Sequence, residues 1–171
     1  MSIEIRTGKR EDAQAISGLS RETFYASFAA QNTAEDMDLY LSTHFLPEQI
    51  LAEFDEPNAR FLLAYVDGVL AGYSKMSSKY HPKGLTGRKP IEIERLYVLH
   101  QFHGQKIGWR LMQACFDYAR ELQREVLWLG VWKENHHAIR FYEKAGFSIF
   151  GEHEFRLGND VQQDWLMMQE L

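Results

Sequence analysis

The sequence holds one cysteine in 171 residues. Neither an intramolecular disulfide framework nor a cysteine-based zinc cage is therefore open to it. Long apolar runs are also missing: the best stretch, Phe61 to Val66, has the length of a strand and not of a membrane span. Met1 to Arg6 alternates polar and apolar residues and carries no signal-peptide core. A cytoplasmic protein with no membrane partner is expected. A basic excess is absent too. The formal net charge is -5, which argues against a general nucleic-acid binder and is compatible with a small cationic substrate. No internal repeat, low-complexity tract or linker divides the chain.

What remains is ordinary globular material, 45% hydrophobic and 25% charged. Its length suits one compact domain over residues 1–171. Ile3 to Arg6 reads as a strand. Arg10 to Phe28, Glu35 to Phe45 and Pro47 to Phe54 read as helices. Phe61 to Val66 and Val69 to Met76 are strands joined by Asp67-Gly68, a hairpin signal because both turn residues need positive φ. Tyr80 to Pro90 reads as a loop, and Ile91 to Val98 as a strand. A core-facing helix, Gln105 to Gln123, follows. Val126 to Trp132 is a central strand, Asn135 to Ala145 a short helix ended by Gly146, and Phe147 to Phe155 and Gln163 to Gln169 a closing strand pair. Strands followed by helices, with hairpins at both ends, predict a mixed α/β domain whose middle forms a parallel pair.

The strand from Ile91 to Val98 contains a misfit. Ile91 and Ile93 share one face and Glu92 and Glu94 the other, but Leu96 and Val98 then continue the Glu face. A β-bulge near Glu94-Arg95 would restore one apolar stripe. A strand packed on both faces, with its carboxylates near solvent, explains the pattern as well.

Next comes a turn containing Gly104, and then a helix. Such a junction offers free N–H groups and the positive end of a helix dipole, which favour a phosphate or pyrophosphate. Lys106 and Arg110 place two cations there, an odd choice unless an anion is bound. Glycines at such junctions are common, so the local pattern alone slightly favours an ordinary turn before a core helix. Neither a Walker A loop nor a Rossmann fingerprint is present. In the later helix, Asn135 is a good cap and Tyr142 shares a stripe with Ala138, Phe141 and Ala145. A cap and a core aromatic are sufficient readings of these two residues. The adjacent His136 and His137 diverge on a helix, so no metal site is expected.

Together, the strand Arg95-Leu96-Tyr97-Val98, the turn-helix Phe102 to Gly108, and Asn135-x-x-Ala138-x-x-Phe141-Tyr142-x-x-x-Gly146-Phe147 resemble the GCN5-related N-acetyltransferase family. One departure stands out. The family's pyrophosphate motif is Arg/Gln-x-x-Gly-x-Gly/Ala; here His103 takes its first place and Lys106 the place of its first glycine, while Gly108 fits. Upstream, Thr23-Phe24-Tyr25, Asn32 to Met37, Tyr40-Leu41 and Phe45 look like the acceptor-side segment of bacterial spermidine/spermine acetyltransferases. Read singly, Glu35 and Asp36 are a negatively charged helix start.

The resemblance implies a bulged central strand with helices on both faces of one mixed sheet. It implies acetyl-coenzyme A as cofactor, held by Leu96, Tyr97 and Val98, by His103, Gly104, Gln105, Lys106, Ile107, Gly108 and Trp109, and by Asn135, Phe141 and Tyr142. It implies a small amine, most like a polyamine, as acceptor, bound by Phe24, Tyr25, Glu35 and Asp36. An alkylamine titrates at about 10.4, so a base must take its proton; the family draws it from the strand of Glu92 and Glu94, with Glu92 ahead. A backbone N–H near Val98 would meet the developing oxyanion. Tyr142 would protonate the departing thiolate, with direct transfer in a ternary complex. Cys115 lies on a core stripe and reads as packing. The assembly this allows is a homodimer. The rival readings are a protein or peptide N-acetyltransferase, whose acceptor groove would be open, and a coenzyme A-binding module without turnover.

Overall fold

In the computed structural model, which describes residues 1–171, the chain begins with β1 (Ile3–Thr7) and then builds three helices, α1 (Ala13–Phe28), α2 (Ala34–Thr43) and α3 (Pro47–Glu53). A 3-10 turn over Arg10–Asp12 precedes α1, so the predicted helix from Arg10 starts with a tighter turn. Thr33 caps α2 by accepting from the Asp36 N–H at 3.1 Å. Pro47 opens α3, where its missing N–H costs nothing.

Strands β2 (Arg60–Val66) and β3 (Val69–Ser77) form the expected hairpin. Asp67 and Gly68 hold φ of 49° and 82°. Beyond the Tyr80 to Lys89 loop come β4 (Pro90–Val98), α4 (Ile107–Glu121), β5 (Val126–Trp132), α5 (His136–Lys144) and the hairpin of β6 (Ser148–Leu157) and β7 (Asp160–Glu170). The strands make one seven-stranded sheet in the order β1-β2-β3-β4-β5-β7-β6. Only β4 and β5 run parallel, joined through α4 as the crossover.

The bulge lies where the phase argument put it. Lys75 of β3 pairs with Arg95, but the next residue, Met76, pairs with Ile93, which leaves Glu94 as the extra residue. Ile91, Ile93, Leu96 and Val98 consequently all face the core under α4 and α5. Glu92, Glu94, Arg95 and Tyr97 are turned to the opposite face, against α1 to α3. On the α4 side, Leu111, Met112, Cys115 and Ala119 are completely buried; each large apolar side chain so placed contributes roughly 1.5–3 kcal/mol. The α1–α3 side has a second core around Ile16, Phe24, Met37, Phe61 and Tyr73.

Two of the boundaries that differ from expectation have a backbone cause. Helix α4 starts at Ile107, not Gln105, because Lys106 sits in the left-handed region at φ 62° and ψ 21°. Strand β7 starts at Asp160, not Gln163, because Gly158 at φ 60° turns the chain early and the hairpin pairs down to Leu157 and Asp160.

Candidate active site

The middle of the sheet is open. Strands β4 and β5 pair over three positions, Pro90–Glu92 with Val126–Trp128, and then part. Beyond that point β4 stays paired with β3 as far as Val98, and β5 stays paired with β7 as far as Trp132. Two strand edges thus face each other across a wedge with their backbone groups uncommitted, a costly arrangement unless something else bonds them.

The start of α4 lies past the open end of β4. Gly104 holds φ 81° and Lys106 is left-handed; no side chain caps the helix. The N–H groups from Gly104 to Trp109 have no backbone partner. They form a cradle of donors at the positive end of a 15-residue helix. Lys106, Trp109 and Arg110 are exposed around it, Gln105 is half-buried and Ile107 is buried beneath. Gly108 leaves room beside Phe141 and Leu96: a Cβ there would stand 3.5 Å from the Phe141 ring. His103 is turned away from the cradle, its Nε2 lying 2.9 Å from the Val98 carbonyl. A cleft of about 150 Å³ runs beside this loop, between Thr23 and Ser27 of α1 and Val98, His100 and His103.

Helix α5 closes the α4 side of the wedge. Asn135 caps it, its Oδ1 accepting from the Ala138 N–H at 3.2 Å. Phe141 and Tyr142 pack on the core beneath, and the Tyr142 ring meets Phe141 and Phe147 edge-on. Burial, with a smaller effect from nearby Cys115, raises the Tyr142 hydroxyl well above its usual range, so it stays protonated. Cys115 is buried against Ser74, 3.1 Å away, and burial pushes its thiol up to about 12, far from a thiolate nucleophile.

On the other face, the bulge gathers charge. The Lys75 ammonium is wholly buried and meets Glu94 at 2.5 Å, Glu56, and Glu53 at 3.6 Å. Lys79 bridges Glu56 and Glu94, Arg95 pairs with Glu53, and Ser77 donates to Glu94. Burial pushes the Glu94 carboxyl up, but Lys75 and the bonds to it hold it below its ordinary value. Glu92 differs. Burial first, and the neighbouring Glu94 charge second, push it up to about 8 against the pull of Lys75 and Lys79. Its Oε1 is buried without a partner.

Six buried side-chain atoms lack a hydrogen-bond partner, and five of them share this face: Glu92 Oε1, Arg95 Nε, Trp128 Nε1, Gln162 Oε1 and Asp164 Oδ1. Trp128 stands beside Glu92 across the β4–β5 pair. Gln162 and Asp164 alternate along β7 with Leu166 and Met168, which pack with Trp128. Orphans of this kind are rare in native proteins and ask for a cause.

The acceptor-side residues read from the sequence are spread over the α1–α2 layer of the same face. Phe24 is core, stacked on Tyr40 at 4.4 Å. Tyr25 and Glu35 are exposed. Asp36 accepts from the Asn159 N–H at 2.9 Å and so ties α2 to the β6–β7 turn. Sequence reasoning passed over Gln162 and Asp164. Their signal was two polar residues on the same face of a strand as Leu166 and Met168.

Comparison with known proteins bears directly on this arrangement. Residues 21–147 match the model of the acetyltransferase (GNAT) family. A Lactobacillus delbrueckii subsp. lactis protein, named an uncharacterized N-acetyltransferase in the pepI 3' region, is 34% identical over 99% of this chain and 98% of its own. A spermine/spermidine N(1)-acetyltransferase of Bacillus subtilis is 27% identical over 53% of this chain and 60% of its own. The crystal structure of the PaiA N-acetyltransferase from Thermoplasma acidophilum, in complex with coenzyme A, superposes with a TM-score of 0.79 at 22% identity over the whole of both chains. With such a match along most of its length, the chain belongs to the GNAT family of acetyltransferases. No helix is long and apolar enough to cross a membrane.

Proposed function

We propose that the protein transfers an acetyl group from acetyl-coenzyme A to a primary amine, and that the acceptor is a small cationic amine of the polyamine type. The observation that carries this reading is the wedge between β4 and β5 with the uncapped start of α4 beyond it. The residues fit the cofactor: uncommitted N–H groups from Gly104 to Trp109 suit a pyrophosphate, and the bare Gly108 beside Phe141 allows close approach. Lys106 reaches the left-handed conformation that a glycine adopts freely, so the substituted motif retains the shape of the turn.

When bound, acetyl-coenzyme A supplies an activated acyl group. The chain's own residues do the rest. Past Glu92, the β4 N–H groups that are not paired with β3 face the wedge and would serve the acyl carbonyl oxygen. Glu92 accepts the amine proton, directly or through water; its raised pKa matches a base working near neutrality, whereas Glu94 is held by Lys75. Tyr142 stays protonated and would serve as the proton donor to the coenzyme A sulfur. The Asn135 amide nitrogen remains free beside its capping oxygen and serves the pantetheine arm.

Support for a polyamine acceptor comes from the Bacillus subtilis relative's name and from the net charge of -5; Phe24, Tyr40 and Phe45 pack together into the core beside α1 and α2. A cytoplasmic location and a homodimer belong to the same reading; sedimentation of the purified chain tests the second. The reaction is tested by coenzyme A-dependent thiol release with spermidine, spermine, putrescine, amino acids and a lysine peptide. Release with the polyamines alone, lost in Tyr142→Phe, is expected. Absence of release with every amine, despite coenzyme A binding, overturns the reading.

A further inference from the structure

Strand β5 carries a glycine where its neighbours carry large side chains. Gly130 follows Trp128 on the α1–α3 face and precedes Trp132 there, and its exposure opens a gap between two indoles. The gap is bounded from the next two strands. A Cβ on Gly130 would stand 3.4 Å from Asp164 Oδ2 on β7 and 3.3 Å from His153 Nε2 on β6. Asp164 and His153 are paired residues in the β6–β7 ladder, and Asp164 also pairs with Trp132. Across the gap from the sheet, Phe28 at the end of α1 meets the Trp132 ring at 5.4 Å. Gln162, one residue pair along the strand, reaches Asn32 and Asp160 with its amide nitrogen and leaves its oxygen unpartnered.

Asp164 is the unusual member. It is 8% exposed, its Oδ1 is fully buried and bonded to nothing, and no cation lies against it. A buried carboxylate without a partner is costly. Lys133, directly after Trp132 of β5, pairs with Glu152 and covers the Trp165 ring on the other face. A carboxylate at the edge of the exposed Gly130, with Trp132 and Phe28 on the same face, has the chemistry of a receptor for an alkylammonium: charge at the base, aromatic faces at the sides.

We infer that Asp164, with the Gln162 side-chain oxygen beside it and the exposed Gly130 leaving it reachable, binds a positively charged nitrogen of the acceptor, and so restricts the enzyme to amines that bear a cation. This rests on the transfer reading above and adds to it the group that selects the substrate. Asp164 is a binding residue here; Glu92 lies on the same face at the narrow end of the wedge and takes the reacting proton. The two carboxylates divide the work between a nitrogen that stays charged and one that must lose its proton.

The titratable groups facing Asp164 are His153 from β6, Tyr40 from α2 with His44 stacked on it, and Asp160 through Gln162. Burial alone pushes the Asp164 carboxyl up to about 6. The acceptor's charge is wanted only by the ionised form, so affinity for a cationic amine rises as pH rises through about 6 and levels off above it.

The test uses the intact protein and two readouts. Spermidine binding is measured by calorimetry, with and without coenzyme A, for the native chain, Asp164→Asn and Gly130→Ala; steady-state transfer to spermidine is measured alongside. Asp164→Asn keeps the shape and is expected to weaken spermidine binding and raise its KM by about tenfold to a hundredfold, with kcat and coenzyme A affinity nearly unchanged and the rise near pH 6 gone. Gly130→Ala, whose Cβ would press on Asp164 and His153 at 3.4 and 3.3 Å, is expected to weaken spermidine binding and keep coenzyme A. Equal spermidine affinity in the native chain and Asp164→Asn overturns the inference, as does a loss of kcat with KM unmoved. If the native chain acetylates only neutral amines, the transfer reading stands and this inference falls. If it binds spermidine through Asp164 without transfer, the transfer reading falls and the site remains.

Discussion

Lys75 and Asp164 are both buried charges on the α1–α3 face of the sheet, yet their surroundings are opposite. Lys75 touches three carboxylates, and these in turn engage Lys79, Arg95 and Ser77. Asp164 touches no cation and leaves an oxygen bare. The first region is complete in itself: Glu53 and Glu56 come from α3 and its C-terminal turn, Lys75 from β3 and Glu94 from the bulge, so the ion pairs pin the helix onto the sheet at the irregular point of β4. The second region is incomplete without a ligand. A buried charge alone therefore does not mark an active site; a buried charge whose partner is missing does.

Breaking the complete region gives the largest effect. Lys75→Met removes the wholly buried cation and leaves half-buried Glu53, Glu56 and Glu94 only their contacts with Arg95, Lys79 and Ser77, which is expected to cost about 3 kcal/mol in urea unfolding. Asp164→Asn, also at a buried position, is expected to leave the melting temperature unchanged or slightly higher. A chain in which both substitutions destabilise equally would erase the distinction.

Glu92→Gln sharpens the contrast through pH. Glu92 sits at about 8 in the folded chain against an ordinary 4.5. A carboxyl raised on folding weakens the fold as pH climbs through that window, because the unfolded chain gives up its proton first. The variant is expected to match the native chain near pH 4 and to melt several degrees higher at pH 8, at about 2–4 °C per kcal/mol for a chain of this size. Its kcat is expected to fall by about a hundredfold or more. Stability and turnover moving in opposite directions is the mark of a base held in an unfavourable place.

Smaller changes probe the edges. Lys106→Gly relieves a left-handed lysine and is expected to add up to about 1 kcal/mol, read by thermal melting. Smallest of all, Tyr25→Ala and Glu35→Ala alter exposed side chains and are expected to stay within about 0.5 kcal/mol. A KM for spermidine unchanged in both would assign acceptor binding to the Asp164 region and not to the α1–α2 surface.

The sequence disclosed what depends on neighbours along the chain. Alternation in Ile91 to Val98 cannot serve one apolar face without an extra residue, and Glu94 is that residue. The Asp67-Gly68 turn and the stripe of α4 are local in the same sense. What stayed hidden depends on pairing between distant segments. Asp164 meets Gly130 only because β7 inserts between β5 and β6, and nothing near Gly130 announces that its missing side chain leaves space for a carboxylate 34 positions on. Lys75 reads as an ordinary strand lysine until α3 brings Glu53 and Glu56 over it. Lys106 looked like a loss from the phosphate turn, although the backbone kept the glycine's conformation.

Three residue pairs are the whole of the backbone ladder between β4 and β5. Mechanically the sheet is two plates, β1 to β4 and β5 to β7, fastened at one corner and spanned by the helices. Whatever lies in the wedge and bonds both edges acts as a staple opposite that corner. Occupancy therefore sets how stiffly the plates move together, and an occupant at a hundred times its Kd adds about 2.7 kcal/mol to the fold.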